Sequence, residues 1–192
     1  ESNPGMFGKM GKLLGGSTKR RSQAAAQAPN RELYLDDFTR NKIFYSVSRR
    51  LELDGDQIQV PDHELRRMSL AGGLMARVAV VDGDVQDGER EIMIQAMRRY
   101  WQLPELQAAL VAEIAVSELS KGMDYYRLSR EFFKLTTEDE RVRFLDVLFA
   151  VAAGDGAVSY QETEEIRAIA NVQKLTHKQF IDAKMKVPED KR

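Results

Sequence analysis

Apolar residues recur along most of the chain at spacings of three and four, as they do on one face of a helix. No segment alternates apolar and polar residues as a strand would. The pattern therefore predicts an all-α fold, a compact multi-helix domain. The predicted helices run from Asn30 to about Leu53, from Pro61 to Val81, to an end near Trp101, from Pro104 to about Leu119, from Asp124 to Leu135, from Thr137 into a second acidic motif, onward from Ser159, and from about Thr176 to Met185.

One pattern, Ala-x-x-Asp-Gly-x-Val-x-x-x-Glu, occurs twice, at residues 79–89 and 152–162. Each copy follows a run of small apolar residues, so we expect its Asp-Gly to end a helix with glycine in the left-handed conformation. The valine two positions later is expected to be buried against the core. Ser159 and Glu162 have the spacing of a capping box, which predicts that a second helix follows the turn. Helix, Asp-Gly turn and helix should therefore appear twice with similar geometry.

Three further local signals bear on packing. Thr137 and Glu140 form another capping-box pattern, and Lys121-Gly122 is a typical helix stop. Gly72-Gly73 lies inside a predicted helix, where glycine is unfavourable by propensity. This pair is interpreted as the site of a close helix crossing.

With its two acidic copies, the chain resembles the TerB family of tellurite-resistance proteins over roughly residues 31–185. The resemblance implies an all-helical domain that acts in bacterial stress or toxic-oxyanion resistance beside membrane-bound partners. It also implies that acidic residues hold a divalent metal. The chain departs from the family pattern at Gly154, where alanine is usual, and at Gln86, where a better capping residue is usual.

A length of 192 residues suits one domain with tails. We expect a flexible basic arm at residues 1–30, the helical domain at 31–185 and a short tail at 186–192. The arm holds six basic and no acidic residues between positions 2 and 31, with an apolar stripe near its start. The simpler interpretation of the arm, a disordered start, is favoured. The alternative is weak contact with anionic membranes through residues 6–21. No nucleic-acid partner is predicted.

The acidic copies are the one constellation with chemical content. Carboxylate oxygens suit calcium, magnesium or manganese, and zinc less well. The spacing does not match an EF-hand loop. The alternative is that aspartate only forms the turn and glutamate only caps the helix. The candidate metal ligands are Asp82, Asp84, Glu89, Asp155 and Glu162, with Asp87 beside them.

The sequence thus favours a non-enzymatic protein of a tellurite or stress-resistance system, cytoplasmic or peripheral at the inner membrane. The absence of cysteine fits that compartment and excludes thiolate chemistry. No catalytic residue is nominated, because His63 and His177 have no paired nucleophile in view. Two alternatives stay open. One is a metal-independent adaptor or co-chaperone-like domain, and the other is a hydrolase whose two carboxylates have pKa values pushed apart.

Overall fold

The computed structural model describes residue 37, residues 41–53 and residues 60–192. Within these ranges the regular structure is entirely helical, which confirms the predicted all-α class. The start of the first predicted helix at Asn30 and the basic arm lie outside the described residues. The helices are α1 (Lys42–Leu53), α2 (Asp62–Ala79), α3 (Asp87–Trp101), α4 (Glu105–Ser120), α5 (Tyr125–Lys134), α6 (Glu138–Ala152), α7 (Tyr160–Val172) and α8 (His177–Met185), followed by a 3-10 helix at Glu189–Lys191.

Helix α2 is the centre of the core. Twelve of its 18 residues are buried, and it packs against α1 and against every helix from α3 to α7. The glycine pair makes this possible. A Cβ on Gly73 would lie 2.7 Å from Ile43 Cδ1 of α1, and one on Gly72 would lie 3.3 Å from Val111 Cγ1 of α4. The predicted close crossing is confirmed, and the neighbouring helices explain why two glycines stand in a helix interior.

The helix boundaries follow the sequence pattern. Helices α2 and α6 end at Ala79 and Ala152, and α3 and α7 begin at Asp87 and Tyr160, which are equivalent positions of the two copies. The packing is reciprocal, because α3 packs on α6 while α7 packs on α2. An ion pair reinforces the second contact: Arg77 donates to both carboxylate oxygens of Glu165, at 3.0 and 3.2 Å.

The predicted capping boxes form. The Ser159 N–H donates to Glu162 Oε2 at 2.7 Å, and the Glu162 N–H donates to Ser159 Oγ at 3.1 Å. Thr137 and Glu140 make the same pair of bonds at the start of α6. In the first copy Gln86 precedes α3, and its N–H donates to Glu89 Oε2 at 2.8 Å. The glutamate of each acidic copy is therefore held at the first turn of a helix.

The prediction of left-handed glycines at both Asp-Gly turns is wrong for Gly156, which has no positive φ. Gly83 has a positive φ of 155°, which favours glycine but differs from the value of a left-handed helix. Helices α2 and α6 instead end through backbone bonds that tighten the last turn, such as Val81 N–H to Val78 O and Gly154 N–H to Val151 O. The predicted stop at Gly122 has a positive φ of 84°, and α3 ends at Gln102 in the left-handed conformation, with a φ of 53°.

The residues after α8 are held against the second copy. The Val158 N–H donates to the Lys191 carbonyl at 2.8 Å, and Lys191 Nζ donates to the Ala153 carbonyl at 3.0 Å. Val158 is half-buried against the core, as is Val85 in the first copy. The two valines are therefore equivalent but less buried than predicted. None of the helices within the described ranges combines the length and apolar character needed to cross a membrane.

Replacing Val158 by Asp should lower the free energy of unfolding by about 1–3 kcal/mol, because it puts an unpaired charge against the core and beside Asp155. The neighbouring exposed Ala157 gives the matched control: Ala157→Asp adds the same charge and should change stability by less than about 0.5 kcal/mol. Chemical denaturation of both variants measures the difference. Equal stability of the two would show that Val158 does not contribute to the core.

Candidate functional site

The two acidic turns, far apart in sequence, meet backbone to backbone. A Cβ on Gly154 would lie 2.9 Å from the Cα and N of Glu89 and from the carbonyl carbon of Gly88. A Cβ on Gly88 would in turn overlap the Gly154 carbonyl group, with the carbonyl carbon 2.8 Å away. No side chain fits between these segments. The start of α3 is thus pressed against the turn that follows α6.

This contact brings together acidic side chains from both copies. Glu89 and Glu162 are each 2% exposed, whereas Asp82 and Asp155 are exposed at the surface of the turns. All four belong to the predicted ligand set. Asp84 and Asp87 are also exposed, and the Asp84 carbonyl accepts a hydrogen bond from Gln86 Nε2 at 2.9 Å. Neither of these two carboxylates is among the charges that raise the pKa of Glu89 and Glu162.

The charges of the two exposed aspartates act on both buried glutamates. The pKa of Glu89 is raised to about 7, mainly by burial. The hydrogen bond from the Gln86 N–H acts to lower this pKa, whereas the charges of Asp155, Glu162 and Asp82 raise it further. Burial also raises the pKa of Glu162 against the bonds from Ser159, with further contributions from Asp82 and Asp155. Each shift depends on charges from the other copy. The charges of the two acidic turns are therefore close enough to influence one another.

Each buried glutamate has already committed one oxygen. Oε2 of Glu89 and Oε2 of Glu162 accept the capping N–H bonds, which leaves both Oε1 atoms and the two exposed aspartates for a ligand. These are hard oxygen donors, the kind that calcium, magnesium and manganese prefer. Within the described part of the chain, no three His, Cys, Asp or Glu side chains already stand in a metal-binding arrangement. The donor set fits such a cation in chemistry, and the exposed aspartates would have to turn inward to hold it.

Sequence reasoning missed the residues that join the two turns. Gly154 was noted only as a departure from the usual alanine, and Gly88 was given no role. The signal was present in that departure, since a glycine where alanine is usual indicates a position with no room for a Cβ. Only the fold reveals that the space is filled by Gly88 and Glu89.

An all-helical domain whose two acidic turns meet backbone to backbone is the class that this structure defines. Residues 68–185 match the family model described as tellurite resistance protein TerB. The match covers more than half of the 192 residues, and the chain therefore belongs to the TerB family. Comparisons with curated proteins and with solved structures find no match.

Adding a methyl group where the turns meet should separate them. Gly154→Ala and Gly88→Ala should each lower the free energy of unfolding by about 1–3 kcal/mol, because backbone atoms leave no room for the Cβ. Gly156→Ala is the matched control, since nothing lies within 4 Å of its Cβ position and stability should change little. Thermal or denaturant unfolding distinguishes them. If Gly154→Ala unfolded like Gly156→Ala, the close approach of the turns would be refuted.

Proposed function

We propose that this TerB-family protein binds a divalent cation, calcium, magnesium or manganese, where its two acidic turns meet. It would serve as a non-enzymatic component of a bacterial tellurite or stress-resistance system. The observation that carries the proposal is the backbone contact at Gly88 and Gly154, which brings the two acidic turns together. Burial and the charges of Asp82 and Asp155 raise the pKa of both Glu89 and Glu162 there. A turn and a helix cap need neither two buried glutamates in one place nor two aspartates beside them.

The charge balance explains why a cation suits this site. Two buried carboxylates and two exposed ones repel one another unless protons or cations neutralise them. A pKa of about 7 for Glu89 means that the site retains a proton near neutral pH. A divalent cation could displace that proton and satisfy the carboxylates together. The ligands would be Glu89 and Glu162 through their free oxygens, Asp82 and Asp155, with Asp84 near enough in sequence to contribute and water completing the shell.

A non-enzymatic role is supported by the same two glutamates. A pair of catalytic carboxylates needs pKa values shifted apart, so that one is an acid and the other a base. Here the pKa values of Glu89 and Glu162 move in the same direction, and both side chains are tied to helix capping. A cleft lined by aromatic side chains lies elsewhere in the described structure. These features favour a binding role over hydrolysis.

Membrane-associated partners and a cytoplasmic or peripheral location belong to the proposal through family membership. The second candidate, a metal-independent adaptor, is favoured by one observation. Tyr160 is 77% exposed directly after the Ser159 cap, at the rim of the acidic site. Exposed tyrosines are common anchors in protein interfaces. If no cation binds, this rim would be the surface to test for a protein partner.

The pKa shift predicts how stability depends on pH. The pKa of Glu89 rises from 4.5 to about 7 on folding, so the folded state binds more protons than the unfolded state between these values. The stabilisation is complete below pH 4.5 and is lost as pH rises through about 7. Glu89→Gln keeps an acceptor for the Gln86 N–H and removes the charge. We expect the free energy of unfolding of the metal-free protein, obtained from thermal melts, to decrease between pH 5 and pH 8. The decrease should be smaller for Glu89→Gln, by about 1–2 kcal/mol after allowance for solvent screening.

Glu113→Gln is the control for that experiment, because Glu113 is an exposed residue of α4, away from the site. It should keep the pH dependence of the parent. If Glu89→Gln also kept it, the glutamate would not be the group that titrates, and the charge argument for the site would fail.

Cation binding itself should appear as a stabilisation that competes with protons. At about 100 times the dissociation constant, a cation should stabilise the fold by roughly 2.7 kcal/mol at pH 8 and by less at pH 5.5. Asp82→Ala, Asp155→Ala and Glu89→Gln should each reduce the effect, and Glu113→Gln should not. Calorimetric titration of chelator-treated protein with calcium, magnesium, manganese and zinc measures it. No saturable heat with any of the four, or binding unchanged in all three variants, would refute the cation site and favour the adaptor.

A further inference from the structure

A second site lies at the opposite end of the helices from the acidic turns. A cleft of about 280 Å³ opens between α2, the end of α3, and the α5–α6 corner. Helix α2 runs from Arg67 at this cleft toward the first acidic turn, so about 18 Å of helix separates the cleft from Ala79. Helices α3 and α6 likewise have one end at each site. The cleft is therefore distinct from the proposed cation site.

The walls of the cleft are aromatic. They include Tyr100 and Trp101 at the end of α3, Phe132 of α5 and Phe144 of α6. The Phe132 and Phe144 rings are 4.7 Å apart between centroids, and those of Tyr100 and Trp101 are 6.1 Å apart. Tyr100 stays 47% exposed at the mouth. Such walls suit a flat apolar ligand of modest size, since small-molecule sites are mostly apolar with a few polar groups.

The polar groups of the cleft leave one positive charge without a partner. Arg67 pairs with Glu140 and donates to Glu64 Oε1 at 2.9 Å. Burial raises the pKa of Glu140, but the bonds from Thr137 and Arg67 outweigh it and lower the pKa, so this carboxylate is ionised. Arg143, on the next turn of α6, is exposed and has no ion pair or hydrogen bond within the described part of the chain.

Arg67 adds a second feature that faces a ligand. Its Nε atom is buried and, among the described residues, has no hydrogen-bond partner. Buried N–H groups are normally satisfied, because an unpaired one costs about 1–3 kcal/mol. A ligand oxygen or an ordered water in the cleft would satisfy it. The Arg143 guanidinium at the rim and the Arg67 Nε–H in the wall can both donate hydrogen bonds to a ligand acceptor. The unpaired charge of Arg143 favours an acceptor that is an anion.

We propose that this cleft binds a small aromatic carboxylate, with its ring against the aromatic walls and its carboxylate on Arg143. The four aromatic side chains select the ring, and the unpaired guanidinium selects a single negative charge. Glu140 and Glu64 already neutralise Arg67, so a second negative charge on the ligand would meet repulsion. The proposal does not depend on cation binding at the acidic turns.

The test uses 3-phenylpropionate as the probe, and Trp101 as the reporter. Trp101 is the only tryptophan of the chain and lines the cleft, so a bound ring should change its fluorescence. We expect saturable binding by the full chain, on the order of millimolar for a ligand this small. The neutral analogue 3-phenylpropanol tests the charge, and hexanoate tests the ring. Both analogues should bind at least about tenfold more weakly than 3-phenylpropionate. Calorimetric titration should rank the three compounds in the same order of affinity as the fluorescence.

Three variants locate the site. Arg143→Gln should weaken 3-phenylpropionate about tenfold and leave the affinity for 3-phenylpropanol unchanged. Arg49→Gln, which removes an exposed arginine of α1 that does not line the cleft, should have no effect. Val147→Met should narrow the cleft and lower the affinity for both aromatic ligands. A thermal melt of this variant serves as the control for folding.

Two results would overturn the proposal. One is the absence of a saturable Trp101 signal with 3-phenylpropionate. The other is equal binding of the acid and the alcohol in the parent and in Arg143→Gln, which would reduce the cleft to an apolar surface without an anion site. Added calcium or manganese should not change the affinity of the cleft for 3-phenylpropionate, whether or not a cation binds at the acidic turns. The two proposals can therefore fail independently.

Discussion

The close approach of two backbone segments at Gly88 and Gly154 is the constraint on which the candidate site depends. A methyl group on either residue would overlap the other segment, so the start of α3 lies directly on the turn after α6. This contact carries Glu89 into the neighbourhood of Asp155, and the reciprocal packing of α7 on α2 carries Glu162 toward Asp82. Two local turns become one electrostatic unit because the backbone permits no spacer between them.

The buried glutamates are tolerated because each also stabilises a helix. Glu89 and Glu162 accept backbone N–H groups at the first turns of α3 and α7, where the helix dipole favours negative charge. Burial and the other carboxylates act in the opposite direction and raise the pKa of both residues. The local role thus holds the side chains in place, and the tertiary contact makes their charges unfavourable. The proposed cation site rests on this balance between local capping and unfavourable charge.

The molecule separates its chemistry between the two ends of the same helices. Carboxylates gather where α2 and α6 end, whereas the aromatic cleft lies toward their beginnings. Arg67 and Glu140 form an ion pair at that second end. They are 73 residues apart, the same offset as between the two acidic copies. Helices α2 and α6 also pack against each other. The central glycines of α2 allow this dense packing by letting α1 and α4 approach its backbone.

Sequence by itself determined the helical class, the positions of both acidic copies, the capping boxes at Thr137 and Ser159 and the close crossing at Gly72-Gly73, because these follow from local spacing and side-chain size. It also led to the family, from the paired motif alone. It was wrong about a left-handed glycine at Gly156, since the turn after α6 closes by backbone bonds. Only the tertiary structure decided that the two turns meet, that Gly154 is required by Gly88, and that aromatic residues from three helices line one cleft. Those features depend on contacts between residues distant in sequence, and no local spacing encodes which backbone will lie against which.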